Sequence, residues 1–118
     1  MEEIGLRNYA YLGDAVWELF VRELTALRTQ NAKELHRITT ERVNAKFQHD
    51  LLLGLQDKLT EEESELVRRG RNLTIPVGRK SNQAEYRMAT AFEVLIGWWH
   101  KNNLERLKEI EDILIKFL

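Results

Sequence analysis

The composition of the chain predicts an all-α fold. Its 118 residues include one proline and six glycines, the two residue types that disfavour helices most strongly. Leucine, glutamate, lysine and arginine, which favour helices, are abundant. Apolar residues also recur every three or four positions over most of the chain, as they do along one face of a helix. We therefore expect a bundle of helices.

Two long stretches, residues 4–28 and 32–56, carry this apolar period. In the first stretch the apolar positions are Leu6, Tyr9, Leu12, Val16, Phe20 and Leu24, and we expect them to form its buried face. In the second stretch they are Leu35, Ile38, Val43, Phe47, Leu51 and Leu55. The second stretch is long for one helix, and we expect it to break near Asp50.

The second half of the chain contains clear helix boundaries. Thr60 followed by Glu63 has the spacing of a capping box, and Gly70 is a natural helix stop. Residues 71–82 contain the lone proline and no helical period, which predicts an exposed loop. A helix over 83–101 follows, and a final amphipathic helix begins after the two asparagines at 102–103.

Size and composition predict one domain spanning residues 1–118, without a second-domain linker. The chain is 43% hydrophobic and 31% charged, which is typical of a folded globular domain. It has no apolar run of membrane-spanning length and no N-terminal secretion signal. It also has no cysteine, which excludes disulfides and thiol chemistry and fits a cytoplasmic location. The three histidines stand far apart, which excludes a zinc site of the usual Cys/His kind.

Charge is distributed unevenly along the chain. The net charge of −1 argues against a strongly basic nucleic-acid binder. Between Glu65 and Glu85, however, there is no acidic residue, and the basic residues there are Arg68, Arg69, Arg71, Arg79 and Lys80. Such a segment is either a patch that faces a polyanion or a solvated loop with incidental charge. Charge alone leaves both interpretations open.

Two acidic residues lie in apolar surroundings, Asp14 in "AYLGDAVWELF" and Glu93 in "TAFEVLIGWW". A charge in such a place is costly unless it is paired. One interpretation of Asp14 is a buried acid that is hydrogen-bonded within its helix or pairs with an arginine such as Arg87. The other is a functional carboxylate. Glu93 has no cationic neighbour along its helix, so an external cation is one candidate partner.

The segments around both acids resemble a known family. "YAYLGDAVWELFV" is similar to the signature of the ribonuclease III endonuclease domain, and "YRMATAFEVLIGWW" resembles the second acidic helix of that domain. The turn "RRGRN" and the lead-in "YRMAT" are similar to the Mini-ribonuclease III branch, which has the catalytic domain without a double-stranded-RNA-binding domain. The resemblance extends over residues 6–118.

The resemblance implies a function and a site. Asp14 and Glu93 match the catalytic carboxylates that hold Mg²⁺, with Mn²⁺ as a substitute. The implied activity is hydrolysis of phosphodiester bonds in double-stranded RNA to leave 5′-phosphomonoesters, in the maturation of large-subunit ribosomal RNA. The resemblance also implies a cytoplasmic homodimer with the helical endonuclease fold. Ala10 and Thr90 stand where longer relatives have two further acids. This departure speaks against a two-metal scheme and favours an alternative function, a non-catalytic helical RNA-binding or ribosome-associated protein.

Other residues are assigned supporting roles. The residues expected to contact the RNA backbone are Arg69, Arg71, Asn72, Arg79 and Lys80. Four residues are expected to support the acids or contact phosphate: Glu18, Lys46, Gln48 and Arg87. Solvated or structural roles stay open for all four. The tryptophans are expected in the core or in a dimer interface, with Phe20, Trp98 and Trp99 as the candidate apolar patch.

Overall fold

The structure, a computed structural model, describes residues 5–74 and 82–118, and its regular elements are all helical. This confirms the predicted all-α class. The helices are α1 (Leu6–Thr25), α2 (Ala32–Val43), α3 (Ala45–Leu55), α4 (Glu61–Arg71), α5 (Gln83–Asn102) and α6 (Leu104–Leu114), with short 3₁₀ turns at Gln56–Lys58 and Ile115–Phe117. None of the described helices is long and apolar enough to cross a membrane.

Helix α5 is the centre of the bundle. It packs against α1, α3, α4 and α6, and it buries apolar side chains on most of its circumference. A helix that is apolar nearly all round belongs in a core rather than at a surface. The largest fully buried side chains come from α5 and from the helices around it: Trp17, Leu52, Leu55, Phe92, Leu95, Ile96, Trp99, Ile110 and Leu114.

The buried face of α1 differs from the predicted one. Its fully buried residues include Ala10, Gly13, Trp17 and Val21, whereas the large apolar residues of the predicted stripe are only half-buried. Leu6, Tyr9, Val16 and Phe20 of that stripe do pack against the core, so the predicted face is right in part and lies beside the deepest contact. Small residues on α1 let its backbone approach α5 closely, and the larger side chains flank the contact.

The break between α2 and α3 lies at Asn44, so the predicted break near Asp50 is wrong. Asn44 has an extended backbone with ψ of 165°, and its side chain serves both helices. Its Oδ1 accepts a hydrogen bond from the Phe47 N–H at 2.8 Å, and its Nδ2 donates to the Thr40 carbonyl at 3.2 Å. Asp50 lies inside α3 and pairs with Lys46 at 3.0 Å.

The predicted capping box at the start of α4 is confirmed. The Thr60 N–H donates to Glu63 Oε1 at 2.9 Å, and the Glu63 N–H donates to Thr60 Oγ1 at 3.1 Å. Gly70, however, does not end the helix, which continues to Arg71. Gly70 instead permits close packing, since a Cβ there would lie 3.0 Å from the Ala91 Cα of α5. Most of the predicted loop, residues 75–81, lies outside the described residues.

Glu63 has a second role that the capping pattern did not indicate. Its buried carboxylate accepts hydrogen bonds from Trp99 Nε1 at 2.8 Å and from Arg106 Nε and Nη2, each at 2.9 Å. Burial alone would raise the pKa of Glu63. The hydrogen bonds from Arg106, Thr60 and Trp99 outweigh that effect and lower the pKa. This carboxylate therefore ties α4 to α5 and α6.

Candidate active site

Two glycines form the contact between α1 and α5. A Cβ added to Gly13 would lie 1.8 Å from the carbonyl oxygen of Glu93, and one added to Gly97 would lie 2.0 Å from the carbonyl oxygen of Tyr9. No side chain separates the two backbones at this point. Asp14 directly follows Gly13, so this contact brings its carboxylate next to that of Glu93.

Asp14 and Glu93 form a carboxylate pair at this crossing. Glu93 is half-buried and Asp14 is exposed, so the alternative interpretation of Asp14 as a buried acid is wrong. Burial of Glu93, followed by the hydrogen bond and the negative charge of Asp14, raises the pKa of Glu93 to about 8, and the Gln48 amide partly opposes this rise. Two adjacent carboxylates resist ionising together. At neutral pH the metal-free pair therefore retains a proton on Glu93.

Among the side chains that the structure describes, no cation pairs with these two acids. The ion pairs formed within residues 5–74 and 82–118 include neither Asp14 nor Glu93. Arg87, the partner considered for Asp14, instead donates its Nη1 to the Arg71 carbonyl at 2.8 Å. Thr90 donates its hydroxyl to the Tyr86 carbonyl at 3.0 Å within its own helix.

The pair suits a hydrated divalent cation. In the part of the chain that the structure describes, no three His, Cys, Asp or Glu side chains gather as a metal site, so the protein offers two carboxylates here. Mg²⁺ retains several waters and is commonly held by one or two carboxylates. A cation would also remove the like-charge repulsion that contributes to the raised pKa of Glu93.

The residues expected to support the acids have other partners. Glu18 pairs with Arg22 at 2.9 Å on the exposed side of α1, and Lys46 pairs with Asp50. Only Gln48 has its side chain beside the pair, where it acts on the Glu93 carboxyl. The sequence did not single out Gln48 from the other candidate supporting residues. One pattern could have indicated it, because Gln48 is a polar residue at an apolar position of its helix.

The expected RNA contacts are described only in part. Arg69 and Arg71 are exposed in the last turn of α4, and Asn72 follows as its C-terminal cap. The Arg87 bond to the Arg71 carbonyl connects this end of α4 to α5, the helix that carries Glu93. Arg79 and Lys80 lie outside the described residues. The assignment of these residues to RNA binding remains a prediction.

The candidate dimer patch needs a correction. Trp99 is fully buried inside the protomer, as is Trp17, so Trp99 is unavailable to a partner. Phe20 and Trp98 are half-buried. The large apolar side chains that α1 does expose are Tyr11, at 85%, and Leu19, at 61%.

Comparison with known proteins shows the family to which this chain belongs. The family model for the ribonuclease III domain matches residues 7–103. Mini-ribonuclease 3 of Gloeobacter violaceus is 40% identical over 117 residues, which cover 99% of this chain and 87% of that protein. The Mini-ribonuclease 3 of a Thermoanaerobacter species is 37% identical over 112 residues, which cover 92% and 79%. A crystal structure of a Fusobacterium nucleatum protein superimposes with a TM-score of 0.85 at 31% identity, covering 98% of this chain and 94% of that one. The chain therefore belongs to the ribonuclease III family of endoribonucleases.

Proposed function

We propose that this protein is a divalent-metal-dependent endoribonuclease that cleaves double-stranded RNA, with Asp14 and Glu93 as its catalytic and metal-binding residues. The observation that carries the proposal is the carboxylate pair at the α1–α5 crossing, which lacks a cationic partner among the described side chains. Family membership supplies the reaction class, and the pair supplies the site. Mg²⁺ is the proposed cofactor, with Mn²⁺ as a substitute.

The reaction needs little from the protein beyond this pair. Water attacks the phosphorus, the bond to the 3′ oxygen breaks, and the products carry a 5′-phosphate and a 3′-hydroxyl. Bound Mg²⁺ would supply an activated water and offset the negative charge that builds on the phosphate. Asp14 and Glu93 would hold the ion, and Glu93 must release its proton to do so. The direct backbone contact at Gly13 and Gly97 supports a fixed spacing of the two acids.

RNA binding is proposed for the basic end of α4 and the segment after it. Contacts from Arg69, Arg71, Asn72, Arg79 and Lys80 to the phosphates would position the duplex without reading its sequence. A-form RNA is recognised mainly by shape and by its backbone. Because each phosphate contact releases counterions, binding should weaken steeply as salt rises. The precursor of large-subunit ribosomal RNA is the proposed substrate, and the cytoplasm the proposed location.

A symmetric homodimer is the proposed assembly. The exposed side chains of Tyr11 and Leu19 offer apolar surface on α1, and half-buried Phe20 and Trp98 add to it. Tyr11 lies three residues before Asp14, so an isologous interface on this side of α1 would bring the two sites of a dimer near one cleft. Two sites facing one duplex would each cut one strand.

A second candidate function is a non-catalytic helical protein that binds RNA or the ribosome. Ala10 and Thr90 favour it, because they leave the site with two acids. The two candidates differ in one measurable respect. Both predict binding of duplex RNA, but only the first predicts cleavage.

Cleavage of duplex RNA with Mg²⁺ and with EDTA separates the two functions. Wild type should cleave only with Mg²⁺, and Glu93→Gln and Asp14→Asn should each lose about 100-fold or more in rate. Glu23→Gln, which changes an exposed acid further along α1, should cleave like wild type. Cleavage by Glu93→Gln at the wild-type rate would contradict the assignment of Glu93 to the site. No cleavage by wild type that binds the duplex would favour the non-catalytic function.

A further inference from the structure

Gln48 is a polar residue at a core position. It is 2% exposed, and the other three buried residues of α3 are Leu51, Leu52 and Leu55. Its Nε2 is the one buried side-chain nitrogen or oxygen in residues 5–74 and 82–118 that makes no hydrogen bond. A buried amide nitrogen without an acceptor destabilises a fold. Such an atom in a folded protein calls for an explanation.

The Gln48 amide lies beside the carboxyl of Glu93. Helix α3 packs against α5, and the amide acts directly on that carboxyl, whose other close polar neighbour is Asp14. Two other polar side chains of α3 and α5 are engaged elsewhere. The Thr90 hydroxyl donates to a carbonyl of its own helix, and Lys46 pairs with an aspartate on α3. Gln48 is therefore a neutral donor within reach of this carboxyl.

We propose that Gln48 is a positioning residue of the metal site, whose Nε2–H donates to one oxygen of the Glu93 carboxylate and leaves the other oxygen to face the cation. This inference rests on the proposed function, because it requires Glu93 to bind a metal. Partners that orient a metal-binding carboxylate raise the affinity for the metal without touching it. The amide nitrogen already lies near enough to this carboxyl to lower its pKa, but it makes no hydrogen bond of normal geometry. It would complete that bond when Glu93 is held in its metal-binding form.

The test measures Mn²⁺ binding to the full-length protein without RNA, by electron paramagnetic resonance. Gln48→Met keeps the length and bulk of the side chain and removes the donor, and Gln48→Leu serves as a second variant. We expect each to bind Mn²⁺ about tenfold or more weakly than wild type. In cleavage assays each should need more Mg²⁺ for half-maximal rate, while the rate at saturating Mg²⁺ stays close to that of wild type.

Leu52→Ala is the matched control, because it removes a fully buried side chain from the same helix. It should lower the free energy of unfolding and leave Mn²⁺ affinity unchanged. If the Gln48→Met or Gln48→Leu variant folds and still binds Mn²⁺ as tightly as wild type, Gln48 has no positioning role. Glu93→Gln distinguishes this failure from that of the proposed function. If Glu93→Gln also binds Mn²⁺ like wild type, the metal site itself is wrong, and both proposals fall.

Discussion

Replacing Glu93 with glutamine should stabilise the metal-free protein at neutral pH. The pKa of Glu93 is raised from its ordinary value of 4.5 to about 8 in the folded state. Below pH 4.5 both folded and unfolded chains hold the proton, so folding carries no penalty. As the pH rises from 4.5 towards 8, the unfolded chain loses the proton while the folded chain keeps it, and stability falls. Above pH 8 the loss is complete. Glutamine does not titrate and escapes this loss.

The size of the effect follows from the pKa. At pH 7 the linkage corresponds to about 3 kcal/mol, since each pH unit between the two pKa values is worth about 1.4 kcal/mol. Solvent access on the Asp14 side of the pair reduces this figure. We therefore expect Glu93→Gln to exceed wild type by about 1 to 3 kcal/mol at pH 7, and by less than about 0.5 kcal/mol at pH 4.5.

Urea unfolding in EDTA at pH 4.5, 7 and 8.5 measures this difference. Glu23→Gln is the control, because it removes an exposed acid from α1. Its stability at pH 7 should differ from that of wild type by less than the stability of Glu93→Gln does. Equal stability of wild type and Glu93→Gln at pH 7, with parallel dependence on pH, would refute the raised pKa. It would also contradict the burial of Glu93 beside Asp14, from which that pKa arises.

Three further predictions concern the backbone contact, the buried ion pair and proton release. In thermal unfolding, Gly13→Ala should lower the free energy of unfolding by more than about 3 kcal/mol, because the added Cβ overlaps α5. Gly54→Ala has nothing within 4 Å of its added Cβ and should raise the free energy of unfolding by about 0.5 to 1 kcal/mol. Similar stabilities of the two variants would contradict the close crossing. By calorimetry, Arg106→Met should lower the free energy of unfolding by about 3 kcal/mol, because it leaves the Glu63 carboxylate buried without its cation. A decrease below about 1 kcal/mol would show that the ion pair contributes no more than a surface pair. Mn²⁺ binding at pH 7 should release close to one proton, that of Glu93, and progressively less above pH 8. Titration calorimetry in buffers of different ionisation enthalpy measures this release. No proton release at pH 7 would contradict the assignment of Glu93 as a metal ligand.

Features encoded by neighbouring residues were predictable from the sequence. The helical class followed from composition and period, and the capping box from Thr60 and Glu63, whose hydrogen bonds lie within one turn. The break at Asn44 had a local signal as well, since asparagine is a common helix N-cap. The length of the stretch predicts a break but does not locate it, and Asp50 is not where it lies. In the folded chain that acid sits on the exposed side of α3.

Features that depend on contacts between helices were not predictable in the same way. Gly70 has the sequence context of a helix stop, and only the proximity of Ala91 on α5 explains it as a packing residue. The close approach of Gly13 to the Glu93 backbone likewise joins residues 80 positions apart. The resemblance paired the two acids, but the glycine contact that brings them together required the fold. The buried, unpaired amide of Gln48 also required it, because the sequence does not show which polar residue faces the core.

The central claim is that Asp14 and Glu93 together hold a divalent cation. Crystals of the protein soaked in Mn²⁺ at pH 8.5, where the Glu93 carboxyl is largely ionised, test it most directly through anomalous scattering at a wavelength that excites manganese. We predict an anomalous peak between the two carboxylates in wild type and its absence in Glu93→Gln. A wild-type crystal with no peak at this pair, or with the same peak in Glu93→Gln, would contradict the claim.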